Sequence, residues 1–94
     1  MATTVNAGTT FHIWNFTLST SDTRIVLNQK VNSLIIKCRT AVDLYLRESA
    51  GDSDYLTISA GTSFTFDLST CNLEPFALRA ASGTPVAEIL GTID

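Results

Sequence analysis

Charge is scarce in this chain of 94 residues. Asp, Glu, Lys and Arg make up 16% of it, against roughly a quarter in an ordinary soluble domain. Six basic and nine acidic residues leave a net charge of −3. No basic run occurs, which argues against a nucleic-acid partner. Histidine occurs once, at His12. Familiar zinc sites and catalytic triads need a histidine beside Cys, Asp or further His, so those chemistries have little to draw on. Cysteine occurs twice. Cys38 sits in the apolar run LIIKC and Cys71 in the turn-like STCN. Settings so different, in a chain expected in a reducing compartment, favour free thiols over a disulfide. No apolar run approaches the roughly 18 residues that cross a bilayer. The opening MATTVNAGTT lacks the charged start and apolar core of a signal peptide. Gly-rich phosphate loops, Cys-x-x-Cys pairs and nucleophile elbows are missing too. The expectation is a non-enzymatic protein made in a cytoplasm, with no cofactor, no metal and no membrane partner.

What the chain does have is period-two alternation. The clearest case is DYLTISAGTSFTFDL, residues 54–68. Leu56 and Ile58 alternate with Tyr55, Thr57 and Ser59; after the break at Ala60-Gly61-Thr62, Phe64, Phe66 and Leu68 alternate with Ser63, Thr65 and Asp67. Alternation of this kind turns one face to a core and the other to solvent. The stretch reads as a hairpin about Gly61, whose phenylalanines carry the heaviest apolar face in the chain.

Other segments repeat the pattern. Strands are expected over residues 10–18, 23–28, 33–39, 42–48, 54–58, 63–68, 75–80 and 85–93. Turns are expected at 49–53 and 81–84, each joining its flanking strands as a hairpin, with a connector at 69–73. Pro85 lacks a donor N–H and suits a strand start or an edge. Eight short strands at about ten-residue spacing, with no helical period, predict one all-β domain: a small antiparallel β-sandwich, jelly-roll-like, over residues 10–94. Residues 1–9 have no period and form an N-terminal arm. The expected core is Leu34, Ile36, Leu44, Leu46, Phe64, Phe66, Leu78 and Ile89. In the fourth strand Val42, Leu44 and Leu46 face in, and Asp43, Tyr45 and Arg47 face out.

The candidate site residues lie in TFHIWNFTL, residues 10–18. Phe11 and Ile13 fall on one side of this strand; His12, Trp14, Phe16 and Leu18 fall on the other. A strand apolar on both faces is either central in its sheet or covered by a partner. Phe11, His12, Ile13, Trp14 and Phe16 are therefore read as interface residues, with Trp14 the main anchor. Three sharper readings compete with blander ones. His12 with Cys38 or Cys71 would make a nucleophile pair, but nothing in the spacing signals it. Glu48, Asp52 and Asp54 surround a glycine turn and could ligate calcium; without EF-hand spacing, solvated turn acids are favoured. Trp14, Tyr45 and Tyr55 could form a sugar-binding platform, though Trp14 is better read as core or interface. The sequon Asn15-Phe16-Thr17 is taken as chance.

Four stretches carry a resemblance: VNSLIIKCR; VDLYLRESAGDSDYLTI; AGTSF followed by Asp67; and ALRAASGTPVAEILGTI. Across about residues 28–93, some two-thirds of the chain, it resembles small all-β virion proteins of tailed bacteriophages. The resemblance implies a structural role in the particle: decorating or cementing a capsid, often as a trimer, against the major capsid protein or other virion proteins. It also leaves open a tail or fibre module that binds carbohydrate or a receptor. It brings no catalytic residues. Met1 to Trp14 depart most from the pattern.

Overall fold

In the computed structural model, residues 10–28, 30–67 and 75–93 are described. They form eight strands: β1 (Thr10–Thr17), β2 (Thr23–Ile25), β3 (Ser33–Cys38), β4 (Leu44–Arg47), β5 (Leu56–Ile58), β6 (Ser63–Asp67), β7 (Phe76–Ala80) and β8 (Val86–Ile93). Two four-stranded sheets result, with orders β1-β8-β3-β6 and β2-β7-β4-β5. Every pairing is antiparallel. The chain changes sheet at every connection except β4 to β5, the alternation of a jelly-roll sandwich. The all-β sandwich expected from the spacing is therefore present. The expected arm, Leu68, the 69–73 connector and Cys71 lie outside the described residues.

Two of the expected hairpins are not hairpins. β5 pairs with β4 and β6 pairs with β3, so residues 59–62 carry the chain from one sheet to the other. The turn itself is tight: Thr62 N–H donates to the Ser59 carbonyl at 3.1 Å. Gly61 takes φ +78°, open to glycine without strain. Residues 81–84 likewise link β7 to β8 across the sandwich, with Gly83 at φ +68°. Turn chemistry fixes a reversal of direction, and the partner is fixed by which faces bury together. Only the 49–53 turn joins paired neighbours, β4 and β5.

The core lies between the sheets. Leu18, Ile25, Leu34, Ile36, Leu44, Phe76, Leu78 and Ile89 are its largest fully buried side chains. Register explains the set. Ile36 stands opposite Ile89 and Leu34 opposite Gly91 in one sheet; Leu46 stands opposite Leu78 and Ile25 opposite Phe76 in the other. Each row turns one face inward, so the two sheets interlock side chain to side chain. Gly91 has a packing reason to be glycine. A methyl there would stand 2.9 Å from Val31 Cγ1 and 3.0 Å from the Trp14 ring, so the indole lies directly over its backbone.

Three of the expected placements need correction. Phe64 and Phe66 are only half-buried, because β6 is an edge strand whose inner face runs to the margin of the sandwich. Their rings stack at 5.8 Å and 17°. Phe76, on the inner strand β7 of the other sheet, is the largest fully buried side chain instead. Arg47 was expected to face out, yet it is buried. Leu56 was placed on the apolar face with Ile58, but it is 47% exposed on edge strand β5.

Burial sets a ranking that melts can check. Phe76→Ala should cost about 3–5 kcal/mol, and Phe66→Ala clearly less. Urea denaturation giving equal losses for both would contradict the edge position of β6.

Candidate interaction surface

β1 is an edge strand, paired with β8 on one side and with no described strand on the other. The sequence reading offered a central strand or a partner-covered one; among the described residues β1 is not central. Its two faces now separate. Trp14 and Phe16 pack against the core, and Leu18, just past the strand, is fully buried. Phe11 and Ile13 point away from the core, 63% and 60% exposed. His12 is exposed, with its ring 5.7 Å from that of Trp14. Of the five candidate interface residues, Phe11 and Ile13 are thus presented outward, and Trp14 and Phe16 serve the fold.

The outward pair does not stand alone. Ile13 lies opposite Leu90 on β8, and Leu90 opposite Ile35 on β3. Cross-strand neighbours on one face touch, so Ile13, Leu90 and Ile35 make an apolar row across three strands, with Phe11 beside it. A shallow groove of about 260 Å³ runs along this row, bounded by Lys37 and Glu88. Period two sets Ile35 on one face with Lys37 and Arg39, but nothing in the sequence joins it to Ile13. The missing signal was pairing order, which sets β8 between β1 and β3.

Charge borders the row. Glu88 meets Lys37 at 3.6 Å and Arg39 at 2.9 Å. The hydrogen bond from Arg39 is the largest influence and holds the Glu88 carboxyl below the ordinary glutamate range, against a smaller desolvation effect; the positive charges of Arg39 and Lys37 add to the lowering. A depressed folded-state pKa means that the interaction is fully present above the unfolded carboxyl's titration. It is lost as pH falls through the folded midpoint.

The other candidates disperse. Asp52 caps the turn: its carboxylate accepts from Ser49 N–H at 3.2 Å, and its carbonyl accepts from Arg47 Nε at 2.8 Å. Among the described residues, no group of three His, Cys, Asp or Glu converges as metal ligands. Cys38 carries a free, half-buried thiol on β3. His12 and Cys38 pair with Gly91 and Ala87 of β8, on opposite sides of that strand; four residues along it is roughly 13 Å. Tyr45 and Tyr55 meet edge to face at 5.0 Å on the second sheet, while Trp14 packs under the first, so the three aromatics share no platform.

Sequence reading missed one buried polar node. Arg47 Nη1 reaches Asp22 Oδ1 at 3.2 Å, with side-chain exposures of 8% and 14%. Asp22 Oδ2 accepts from Gly51 N–H at 2.8 Å, and the Arg47 guanidinium lies 4.8 Å from the Tyr55 ring centre. This node ties the β1–β2 connection to the β4–β5 turn. No spacing rule marks it, because Arg47 alternates correctly for an outward position.

No family model, curated protein or solved structure matches this chain.

Two measurements follow. Arg47→Ala should cost about 3 kcal/mol, because it takes the cationic partner from a largely buried carboxylate. Combined with Asp22→Ala, the total loss should fall short of the sum; strict additivity would mean that the pair is uncoupled. By NMR titration, the Glu88 carboxyl should titrate below an unfolded-peptide glutamate and move upward in Arg39→Gln. An unmoved midpoint would remove Arg39 as the cause.

Proposed function

We propose that this protein is a non-enzymatic structural subunit of a bacteriophage virion, which decorates or cements the capsid in repeated copies. The observation that carries the reading is the outward apolar row of Ile13, Leu90 and Ile35 beside Phe11, on a sandwich whose core is already filled from the opposite faces of the same strands. A row of this kind on an edge strand marks a contact surface. The resemblance read in the sequence of residues 28–93, to small all-β virion proteins, is what suggests the particle as its setting. Low overall charge fits a subunit covered by other protein. Repetition offsets weak single contacts, since several sites engage at once.

A second reading, a carbohydrate- or receptor-binding module of a tail or fibre, has one observation in its favour. Tyr45 and Tyr55 cluster on the second sheet, with Arg79 lying 5.2 Å from the Tyr45 ring centre. That guanidinium covers a ring that a sugar would need bare, which places this reading second.

Sedimentation with undecorated phage heads tests the first reading. The wild-type protein should co-sediment to saturation. Phe11→Lys with Ile13→Lys should weaken binding at least tenfold, about 1.4 kcal/mol, while leaving the melting curve near wild type. No binding to heads, or full binding by the double variant, would overturn it. Glycan-array binding abolished by Tyr55→Ala would establish the second reading instead.

A further inference from the structure

The free side of β1 has a defined hydrogen-bonding pattern. Leu18 N–H donates to the Pro85 carbonyl at 2.8 Å, one step beyond the Thr17–Val86 pair. Arg39 N–H donates to the Val86 carbonyl at 2.9 Å. Even-numbered residues of β8 therefore turn their backbone groups toward β3, and odd-numbered ones toward β1. By the same alternation His12, Trp14 and Phe16 bond to β8. Phe11, Ile13, Asn15 and Thr17 turn their N–H and C=O groups to the free edge. These are the residues whose side chains also point outward.

Edge strands are ordinarily guarded by Pro, Lys, a bulge or an inward charge. TFHIWNFT contains no proline and no charged residue, and its register with β8 runs unbroken from Thr10 to Thr17. A self-contact of a chain with net charge −3 normally meets like-charge repulsion, and this strand brings none. On the adjacent face Glu88 is already flanked by Lys37 and Arg39.

We propose that β1 pairs antiparallel with β1 of a second copy across a two-fold axis at Ile13, joining two four-stranded sheets into one of eight strands. This register sets Ile13 opposite Ile13, Phe11 opposite Asn15, and His12 opposite Trp14. Backbone groups left free on one copy meet those left free on the other, and outward side chains meet outward side chains. An axis at His12 would overlap only residues 10–14 of each strand. An axis at Trp14 would set Ile13 against Asn15. Pairing seven residues covers about 24 Å of strand. A single strand per copy, with Phe11 and Ile13 63% and 60% exposed, makes a small contact, at or below the roughly 1,000 Å² of a specific interface. The dimer is accordingly reversible. Edge pairing is two-fold, so it joins copies in pairs where the resemblance suggested threes. It stands on strand geometry, independently of the virion reading.

Sedimentation velocity on the full chain, from about 1 µM to about 500 µM, tests it within the range where weak dimers dissociate. The wild type should pass from monomer to dimer. Ile13→Pro deletes an N–H that points to the free edge and leaves the β8 ladder intact. Ile13→Lys sets two like charges on the axis. Both should weaken dimerisation at least tenfold, and an unchanged circular dichroism spectrum for Ile13→Lys keeps the result interpretable if the proline variant misfolds. Oxidised Ile13→Cys should give a dimer whose disulfide maps to residue 13 in both copies, at a Cα separation near 5.5 Å. A wild type monomeric throughout, a discrete trimer, or a dimer indifferent to both Ile13 variants would overturn the proposal.

Discussion

Two sheets must bury their inner faces against each other, and one short chain must supply both. The order β1-β8-β3-β6 over β2-β7-β4-β5 meets that constraint by crossing at nearly every turn. Side chains such as Ile36, Ile89, Leu44 and Leu78 fill the space between. Everything else follows from that closure. Among the described residues, the strands at the ends of each sheet pair with one strand each, and no third layer stands over the outward residues of the first sheet. β1 is both an end strand and the owner of two bare apolar side chains, so the packing that makes the fold leaves there the most exposed large apolar side chains among the described residues.

Much of the fold was legible because period-two alternation is local. All eight strands can be found from it, and most inward positions follow. Pairing order is not local. The turn at Gly61 looks like a hairpin from its residues, yet β5 and β6 end up in different sheets. The same gap misplaced Phe64 and Phe66, whose burial depends on where in its sheet the strand lies. Arg47 was missed for another reason. Its partner Asp22 lies on a distant connection, and no sequence pattern records a buried ion pair assembled by the fold.

The candidate surface divides in the same way. Phe11, Ile13, Trp14 and Phe16 could be singled out from the sequence because β1 is apolar on both sides. Which face would need cover could not, since that required knowing that Trp14 lies over Gly91 on the inner side. Ile35 and Leu90 joined the surface only through register. Histidine, cysteine and the turn acids drew attention as chemical residue types, and the fold disperses them. Asp52 and Asp22 are engaged in holding the β4–β5 turn and its neighbour in place. The surface that remains is one of shape and apolar contact, with its charges paired at the rim.

Among the described residues, β1 is an edge strand whose odd-numbered backbone groups are free. Residue-resolved amide hydrogen exchange in dilute solution tests this most directly. Exchange should alternate: slow at His12, Trp14 and Phe16, which bond to β8, and fast at Phe11, Ile13 and Asn15. Uniform protection along the strand, persisting at every dilution, would mean that β1 already has a second partner within its own chain.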